Sequence, residues 1–432
     1  MTFADKGILQ YESSLSKSAG RRLRQIGSAD LLIGIPTHRN GRTVGEVVDA
    51  VLAGIHTYLG GYRIVLMNAD GGSSDNTVRH FEDAELPDNV EPLWTEYAGS
   101  NGKGLAIRSI FEAASRLKVN ACLVMEARAP GIKPEWLPAL INPVLQGDQI
   151  VMGCYHRNAY DASLTDNLVY PFLRVFLGAD LREPLAGEFC VSGNLATDLA
   201  AFDVWETHVA RFGVNVWLAI HALTQHLHLA QVDLGYRGPG GGDPATLADP
   251  RYLHTFETLF RMLIVHRRIW MSLTQPVIVP WRGLRAVPSQ SPPPPDHREL
   301  LWQAFHDGFD NYLEGWRAIL QPETLDEVLA LLSQPPGELS FPNELWAKVV
   351  YEFATVYNKG EGDPDRAVEA LLPIFYARTA SYITLSQGLS APEREPLLQE
   401  MLDAFLAQRP YFCEIWEMYQ DWDDDVTRFW LS

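Results

Sequence analysis

The feature that most constrains the fold of this chain is the alternation of short apolar runs with segments of helical character before residue 130. The strand-like runs are 31–36, 62–70 and 121–127, and the helix-like segments are 44–59, 73–84 and 104–117. The runs end in turn-forming or polar residues, and the segments have helical spacing or begin with capping residues. Repeated strand–helix units predict a mostly parallel sheet covered by helices on both faces, so the fold class is α/β. Ligands of such sheets bind beyond the carboxyl ends of the strands.

A Pro/Ser-rich stretch at 287–296 predicts an extended linker, and the chain beyond it is almost wholly helical in pattern. Apolar residues fall on one stripe in the first helical segment and recur in two later ones, which are 299–320, 345–357 and 396–416. We therefore predict an N-terminal extension at 1–28, an α/β domain at 29–280, a linker at 281–296 and an all-α C-terminal domain at 297–432.

The net charge is strongly negative and unevenly distributed. The 432 residues include 35 Lys and Arg against 54 Asp and Glu, which gives a net charge of −19. Residues 297–432 carry 24 acids and 9 bases, and the first 296 residues carry 30 and 26, so −15 of the total lies beyond the linker. Such a surface repels nucleic acid and anionic membranes, and neither is expected as a partner. The acidic block predicts the solvated exterior of a helical bundle, the alternative being a site for a cation or a basic partner.

Cysteine usage and hydropathy predict a reduced, cytoplasmic protein. The four cysteines form no CxxC pair; they are Cys122, Cys154, Cys190 and Cys413. The first residues lack the basic and apolar regions of a signal peptide, and no apolar run is long enough to span a bilayer.

Three motifs at predicted strand ends or helix starts suit a nucleotide. They are 34–40 after the first strand, 68–77 after the second, and 101–104 at the start of a helix. A carboxylate such as Asp70 could accept from a base or ribose, and Lys103 adds a cation to the partial positive charge of a helix N-terminus. The third motif is not a Walker A loop, because no Ser or Thr follows the Lys. For the second motif, a turn with an Asx cap is the alternative interpretation.

Together these motifs resemble the GT-A family of nucleotide-sugar glycosyltransferases, which has a Pro-containing first turn, a DDGSxDxT-like second turn and a GKG segment. Further segments resemble the retaining branch that contains glucosyl-3-phosphoglycerate synthase and mannosylglycerate synthase; they are 155–157, 160–161, 165–167, 170–171, 184–188, 212–217 and 231–235. The resemblance extends from residue 30 to residue 275, so the predicted domain at 29–280 is expected to be a GT-A, Rossmann-like domain. A helical C-terminal domain also fits mannosylglycerate synthase.

The resemblance implies retaining transfer of a hexose from UDP- or GDP-hexose to a small polar acceptor such as glycerate or phosphoglycerate. Most members of the family hold Mg²⁺ or Mn²⁺ with a DxD motif and a later His. Here the motif reads Glu126-Ala127-Arg128, the loop after Gly235 contains no His, and Asn215 stands where the family has an acid. Mg²⁺ or Mn²⁺ is therefore disfavoured, with Glu126 as the one weak candidate ligand.

The resemblance also assigns roles to individual residues. Residues expected to bind the nucleotide sugar are Pro36, Thr37, Asn40, Asp70, Gly102, Lys103, Glu126 and Ala127. Residues expected to act in catalysis are Lys103, Arg128, Glu188 and Asn215, and those expected near the acceptor are Arg157, Gly187 and Glu188. In a metal-independent enzyme, Arg128 and Lys103 would neutralise the leaving diphosphate.

Two other functions remain open. In the first, transfer is lost and the chain is a catalytically degenerate nucleotide- or sugar-binding or regulatory protein. In the second, which fits less well, it is a sugar-1-phosphate nucleotidyltransferase, whose Gly-rich first loop is absent here. The C-terminal aromatic residues are expected in the core, with a few open to a lid or an oligomer contact such as a homodimer. His221, His226 and His228 are expected on one helix without a metal, and the acidic string 421–425 in a solvated tail.

Overall fold

Eight strands form one sheet in the computed structural model, which describes residues 12–99, 102–128, 131–238, 250–285, 296–360 and 363–418. The strands are β1 (Leu31–Thr37), β2 (Ile64–Asp70), β3 (Val90–Glu96), β4 (Ala121–Val124), β5 (Ile150–His156), β6 (Phe189–Ser192), β7 (Leu229–Tyr236) and β8 (Trp281–Arg282). Their order across the sheet is β3-β2-β1-β4-β6-β5-β7-β8. Only β6 runs antiparallel to its neighbours β4 and β5, so the sheet is mixed but mostly parallel.

Helices cover both faces of this sheet and are the main elements of the described chain after β8. Before β8 they are α1 (Lys17–Ile26), α2 (Val44–Tyr58), α3 (Thr77–Glu82), α4 (Lys103–Leu117), α5 (Trp136–Leu145), α6 (Ala159–Leu164), α7 (Tyr170–Leu177), α8 (Gly193–Ala200), α9 (Val214–Thr224), α10 (Pro250–Val265) and α11 (Arg267–Met271). After β8 they are α12 (Arg298–Ile319), α13 (Pro322–Ala330), α14 (Asn343–Lys359), α15 (Asp365–Leu385) and α16 (Glu395–Met418). The predicted fold class, a Rossmann-like α/β region followed by a helical C-terminal region, is confirmed.

Successive residues of the buried strands belong to cores on opposite faces of the sheet, so each face has its own core. Leu31, Ile33 and Ile35 of β1 pack with α2 and α5 on one face, whereas Leu32 packs with α4 on the other. The core on the second face continues into the C-terminal helices. There the ring of Phe176 in α7 packs against the ring of Phe412 in α16, with centroids 4.8 Å apart. The predicted division into two domains at the linker 281–296 stays a prediction. The described residues on the two sides of this linker share one continuous core.

A π-helical turn at Thr165–Val169 makes buried hydrogen bonds between the two regions. Asn167 in this turn accepts a hydrogen bond from Arg378 Nε (2.9 Å) through its side chain and one from Trp346 Nε1 (2.6 Å) through its carbonyl. Tyr382 donates to the carboxylate of Asp166 at 2.7 Å. The family-like segment 165–167 therefore forms hydrogen bonds with helices α14 and α15 of the C-terminal region.

Several elements differ from the sequence predictions. Helix α3 covers only part of the predicted 73–84, because the Asp75 carboxylate accepts from Thr77 and so holds the preceding residues in a turn. The interpretation that three histidines share a helix is wrong, since His221 lies in α9 but His226 and His228 follow its end. Helix α15 gave no amphipathic signal because nearly all of its residues are buried.

Two parts of the sequence analysis fall on residues outside those described: the acidic string at 421–425 and all but one residue of the Pro-rich stretch 287–296. Within the described helices, none is both long and apolar enough to cross a bilayer. Trp316, Trp346 and Trp416 are fully buried, as expected for C-terminal aromatic residues in the core.

Candidate functional site

The ends of β1 and β2 meet in a closed network of hydrogen bonds. Thr37 lies opposite Asp70 in the sheet, and its hydroxyl donates to the Asp70 carboxylate at 2.7 Å. The same carboxylate accepts from the backbone N–H and the hydroxyl of Ser73, both at 2.7 Å, and it is buried. Asn68 donates to the Thr37 hydroxyl at 2.7 Å. Asp70 therefore shapes the turn after β2 as an Asx cap does.

Asn40 and Pro36 lie beside this network. The Asn40 side chain accepts from the His38 N–H at 2.8 Å, and the Asn40 N–H donates to the Thr77 hydroxyl at 2.7 Å. Pro36 pairs with Ala69 across the two strands. The four residues predicted to bind the nucleoside, Pro36, Thr37, Asn40 and Asp70, thus lie at one edge of the sheet.

The glycines of the third motif serve a close backbone approach. A Cβ added at Gly104 would overlap the Val209 carbonyl, and one at Gly102 would overlap the Ala210 carbonyl. The N–H of Gly104 donates to the Arg211 carbonyl at 2.8 Å, and the N–H of Gly102 donates to the Tyr97 hydroxyl at 3.2 Å. The Arg211 carbonyl therefore occupies one N–H group in the first turn of α4, and that N–H cannot bind an anion. The Lys103 side chain remains the group at this helix start that is suited to an anion.

Lys103 and Arg237 converge on the carboxylate of Glu126, just past the end of β4. Lys103 Nζ lies 3.0 Å from Glu126 Oε1, and Arg237 Nη2 donates to Glu126 Oε2. Burial alone would raise the pKa of Glu126, but the charges and hydrogen bonds of Lys103 and Arg237 outweigh it and hold the pKa well below its usual range. Two cations thus meet one half-buried carboxylate.

Arg237 continues from Glu126 to two further side chains. Its guanidinium Nη1 lies 3.4 Å from Glu188 Oε2, and its Cζ lies 4.8 Å from the ring centroid of Tyr155. The Tyr155 hydroxyl donates to Glu188 Oε2, and burial raises the pKa of Tyr155 well above its usual value. Glu126, Glu188, Tyr155 and Arg237 come from the ends of β4, β6, β5 and β7, four consecutive strands of the sheet.

Two buried oxygens near this cluster have no hydrogen-bond partner among the described residues: Glu188 Oε1 and Asn215 Oδ1. The other end of the Asn215 amide donates to the carbonyls of Leu185 and Ala186 at 3.1 and 2.8 Å, which fixes the loop before Glu188. A Cβ at Gly187 would overlap Glu126 Oε2, so only glycine lets that carboxylate reach Arg237. Unpaired buried acceptors suit the hydroxyl donors of a sugar.

Arg157, which was predicted near the acceptor, also lies beside the ring of Tyr155. Its Cζ is 5.0 Å from the Tyr155 ring centroid, and its Nη2 is 3.0 Å from the Glu183 carboxylate, whose pKa burial raises. A cavity of about 70 Å³ lies between the sheet and the C-terminal helices and is lined by Arg157, Glu183 and Tyr155, and also by Arg394. The C-terminal region therefore contributes to the wall of this cavity.

The remaining predicted residues of the Glu126-Ala127-Arg128 motif lie apart from the ion pairs. The Ala127 side chain is buried, and its carbonyl accepts from the Thr43 hydroxyl at 2.8 Å. The Arg128 side chain is exposed, and only its carbonyl takes part in the cluster, accepting from Arg237 at 3.2 Å.

The donor set at Glu126 does not fit a divalent cation. Both of its carboxylate oxygens already accept from cations, Lys103 and Arg237, and these would compete with a metal ion. Glu126 belongs to no cluster of three or more metal-ligating groups in the described part of the chain. Mg²⁺ prefers several oxygen ligands, and this arrangement offers one carboxylate.

Sequence reasoning missed Arg237 and Tyr155 as members of the site. Tyr155 lies in a family-like segment that carries no assigned role, and Arg237 lies in the loop that contains no His. The signal that could have found both is their position: Tyr155 is next to last in β5, and Arg237 directly follows β7.

No protein-family model matches the chain, and no curated protein matches it. Among solved structures, glucosyl-3-phosphoglycerate synthase from Mycobacterium tuberculosis with phosphoglyceric acid is similar at 19% identity, covering 56% of this chain and 83% of that chain with a TM-score of 0.42. Its complex with Mn²⁺, UDP and glucosyl-3-phosphoglycerate matches at 19% identity, 58% and 85% coverage, and a TM-score of 0.42. A structure described as a mycobacterial protein matches at 20% identity, 57% and 78% coverage, and a TM-score of 0.42.

Proposed function

We propose that this protein is a nucleotide-sugar glycosyltransferase that moves a hexose, with retention, from UDP- or GDP-hexose to a small anionic acceptor such as glycerate or phosphoglycerate, without a divalent metal. The observation that carries the proposal is the cluster at the carboxyl edge of the sheet. There Lys103 and Arg237 converge on Glu126, beside the unpaired oxygens of Glu188 and Asn215. Cations next to free acceptors match a diphosphate attached to a sugar.

In this proposal the two cations replace the metal as the charge clamp for the leaving diphosphate. Without a ligand, Glu126 holds Lys103 and Arg237 in position. An incoming diphosphate exchanges with Glu126 for their N–H groups, and the Arg237 fork donates two parallel hydrogen bonds to phosphate oxygens. Because the cations are oriented in advance, little reorganisation is needed as negative charge develops on the leaving group. Arg128, on the exposed rim, adds a third cation.

The polar groups around the cations bind the rest of the donor. The nucleoside is proposed to bind at the turns after β1 and β2, which the buried hydrogen bonds of Thr37, Asn40 and Asp70 hold in shape. Glu188 Oε1 and Asn215 Oδ1 accept from hydroxyl groups of the transferred hexose, which satisfies two buried acceptors. Because Glu188 also pairs with Arg237, a sugar bound to Glu188 would influence the position of the Arg237 guanidinium.

The acceptor is proposed to bind on the Arg157 side of Tyr155. The cavity there is lined by the guanidinium groups of Arg157, Arg182 and Arg394 and by the carboxylates of Asp166, Glu183 and Glu395. The guanidinium groups are the partners proposed for a carboxylate or phosphate of the acceptor. Glu183 already pairs with Arg157, so an anionic acceptor has to displace or share that contact. Removal of the Arg157 charge should therefore change the KM for the acceptor more than the donor Kd.

One observation favours the alternative, a catalytically degenerate binding protein. The charges of Lys103 and Arg237 are partly neutralised by Glu126, and a ligand must compete with this internal carboxylate. A protein that binds a nucleotide sugar without turnover would need no stronger clamp than this.

Calorimetric titration with UDP-glucose, GDP-glucose and GDP-mannose, in EDTA and in Mn²⁺, followed by assay of donor hydrolysis and transfer, separates these functions. The proposal expects donor binding and turnover that persist in EDTA and are lost in Lys103→Met. Arg317→Ala, on the exposed side of α12, is the matched control and should behave as the wild type. Binding without turnover across a broad acceptor set supports the degenerate protein, and absence of nucleotide binding rejects both functions.

A further inference from the structure

A second cluster of ligand-type side chains lies away from Glu126, where the segment before α9 meets α10. His208 stands on the short 3₁₀ turn His208–Ala210, and His254 and Glu257 lie three residues apart on α10. Helical residues at this spacing project from the same face. One candidate ligand atom from each of the three lies within 4.8 Å of the others.

The contacts within the cluster give His208 a distinct partner for each of its ring nitrogens. Nδ1 lies 2.5 Å from Glu257 Oε2, and Nε2 lies 3.7 Å from Asp365 Oδ1 at the start of α15. Glu257 and His254 are buried, whereas the His208 side chain is partly exposed. A buried carboxylate facing an imidazole nitrogen, with a second carboxylate behind the ring, is the arrangement found where histidine binds a metal.

We propose that His208, His254 and Glu257 bind a first-row transition metal ion, with Zn²⁺ as the best match, and that Asp365 positions His208 from outside the ligand set. Two imidazoles and one carboxylate are the donors that Zn²⁺ takes in proteins, and a water molecule completes four-coordination. Zn–N and Zn–O bonds of about 2 Å put tetrahedral ligand atoms about 3.4 Å apart. The widest pair of ligand atoms must therefore close by up to about 1.4 Å, and the short contact between His208 and Glu257 must open by about 0.9 Å.

Arg211 is the competing cation at this site. Its Nη1 lies 3.4 Å from His254 Nε2, so His254 binds the ion through Nδ1, or the guanidinium turns away on binding. Arg211 also carries the carbonyl that accepts from the Gly104 N–H at the start of α4. An ion here would therefore clamp together three segments: the turn at 208–211, α10 and the first turn of α15.

The alternative is an ion pair with no metal. A protonated His208 bonded to Glu257 and near Asp365 accounts for the same short contact, and the hydrogen bond to Glu257 is the largest of the effects that raise the pKa of His208. The two cases differ in whether Zn²⁺ binds stoichiometrically and whether it stabilises the fold.

The test uses the full chain, stripped of metal with a chelator and titrated with Zn²⁺ against a chromogenic chelator, with thermal unfolding measured in parallel. We expect one Zn²⁺ per chain and a Tm that rises with the Zn²⁺ concentration. His208→Ala and His254→Ala should each lower the affinity by more than about 10-fold, and Asp365→Asn by about 10- to 100-fold. His221→Ala, whose ring stacks on Trp217 elsewhere, is the control and should keep wild-type affinity.

Glu257→Gln keeps the size of the side chain and serves if an alanine variant fails to fold. It should abolish the Zn²⁺-dependent rise in Tm while leaving the circular dichroism spectrum unchanged. The proposal is overturned if the wild type does not bind Zn²⁺ stoichiometrically. It is also overturned if the variants at His208, His254, Glu257 and Asp365 all bind Zn²⁺ with the wild-type affinity. Neither outcome bears on glycosyl transfer, because the readouts are metal affinity and Tm.

Discussion

The guanidinium of Arg237 and the carboxylate of Glu126 form an ion pair between two strands that are not neighbours in the sheet. β6 and β5 lie between β4 and β7, so the two backbones stand about 14 Å apart at the usual strand spacing. Arg237 extends over the ring of Tyr155 and past Glu188 and meets the Glu126 side chain, so the two side chains together span this distance. One long side chain thereby ties the ends of four strands into a single charged cluster.

Replacement of Arg237 by Met should weaken donor binding and slow transfer together. The substitution keeps an unbranched apolar stem but removes the fork that faces Glu126 and Glu188. We expect a loss of at least about 100-fold in kcat/KM and a fall of about 3 kcal/mol in the free energy of unfolding, because Glu188 stays buried without its cation. Steady-state kinetics and urea unfolding measure the two effects. A double variant that adds Glu188→Gln, which removes the buried charge left without its cation, should regain stability without activity; recovery of activity would contradict the proposed role.

Arg128→Ala should affect the donor without affecting the fold. The side chain is exposed, so its removal should change the free energy of unfolding by less than about 0.5 kcal/mol. One charge-assisted hydrogen bond to the diphosphate corresponds to about 10-fold in donor Kd. Calorimetric titration with UDP- and GDP-hexose tests this, and an unchanged Kd and rate would remove Arg128 from the site.

Gly187→Ala should disconnect Glu126 from Arg237. The new methyl group would overlap Glu126 Oε2, so the carboxylate has to rotate away from the guanidinium. We expect a loss of about 1 to 3 kcal/mol in stability, together with weaker donor binding. Gly337→Ala is the matched control, because a Cβ there meets no atom within 4 Å. Equal effects of the two substitutions would argue against a special role for Gly187.

Glu352 should make stability fall as pH rises. Burial raises its pKa to about 7, although Thr324, Tyr411 and the Gln321 N–H donate to its carboxylate. A folded-state pKa above the unfolded value of about 4.5 means that the stabilising effect is complete below pH 4.5 and is lost through pH 7. Urea unfolding between pH 5 and 8 should show a decrease of roughly 2 kcal/mol from this group. Glu352→Gln should flatten that slope, and an unchanged slope would assign it to other groups.

Asn167→Ala should weaken attachment of the C-terminal helices to the sheet region. Its side chain accepts from Arg378, which is buried and has a pKa lowered to about 9 by burial. Loss of this acceptor leaves a buried guanidinium short of one partner, at a cost of about 3 kcal/mol. Asn311→Ala, on an exposed face of α12, is the control. Urea unfolding followed by fluorescence and circular dichroism should give one shifted transition, and separate transitions would contradict a shared core.

The sequence predicted the elements whose apolar residues carry a clear period. The runs that became β1, β2 and β4 and the segments that became α2 and α4 lie where their patterns put them. β3 was missed because it is half exposed, and α15 because burial on all sides removes the helical period. The motifs that contain Thr37 and Asp70 could be placed at strand ends and the motif that contains Lys103 at a helix start, whereas Glu126 was indicated by the resemblance.

What a single sequence could not give is the pairing of side chains from distant elements. Glu126 and Arg237 are 111 residues apart, and only the order β4-β6-β5-β7 brings their strand ends to one edge. The same holds for His208 with Glu257, and for Asn167 with Arg378. Local patterns fix which face of a strand or helix is buried, because burial depends on period along the chain. Ion pairs depend on where different elements meet, and that is decided by packing of the whole core.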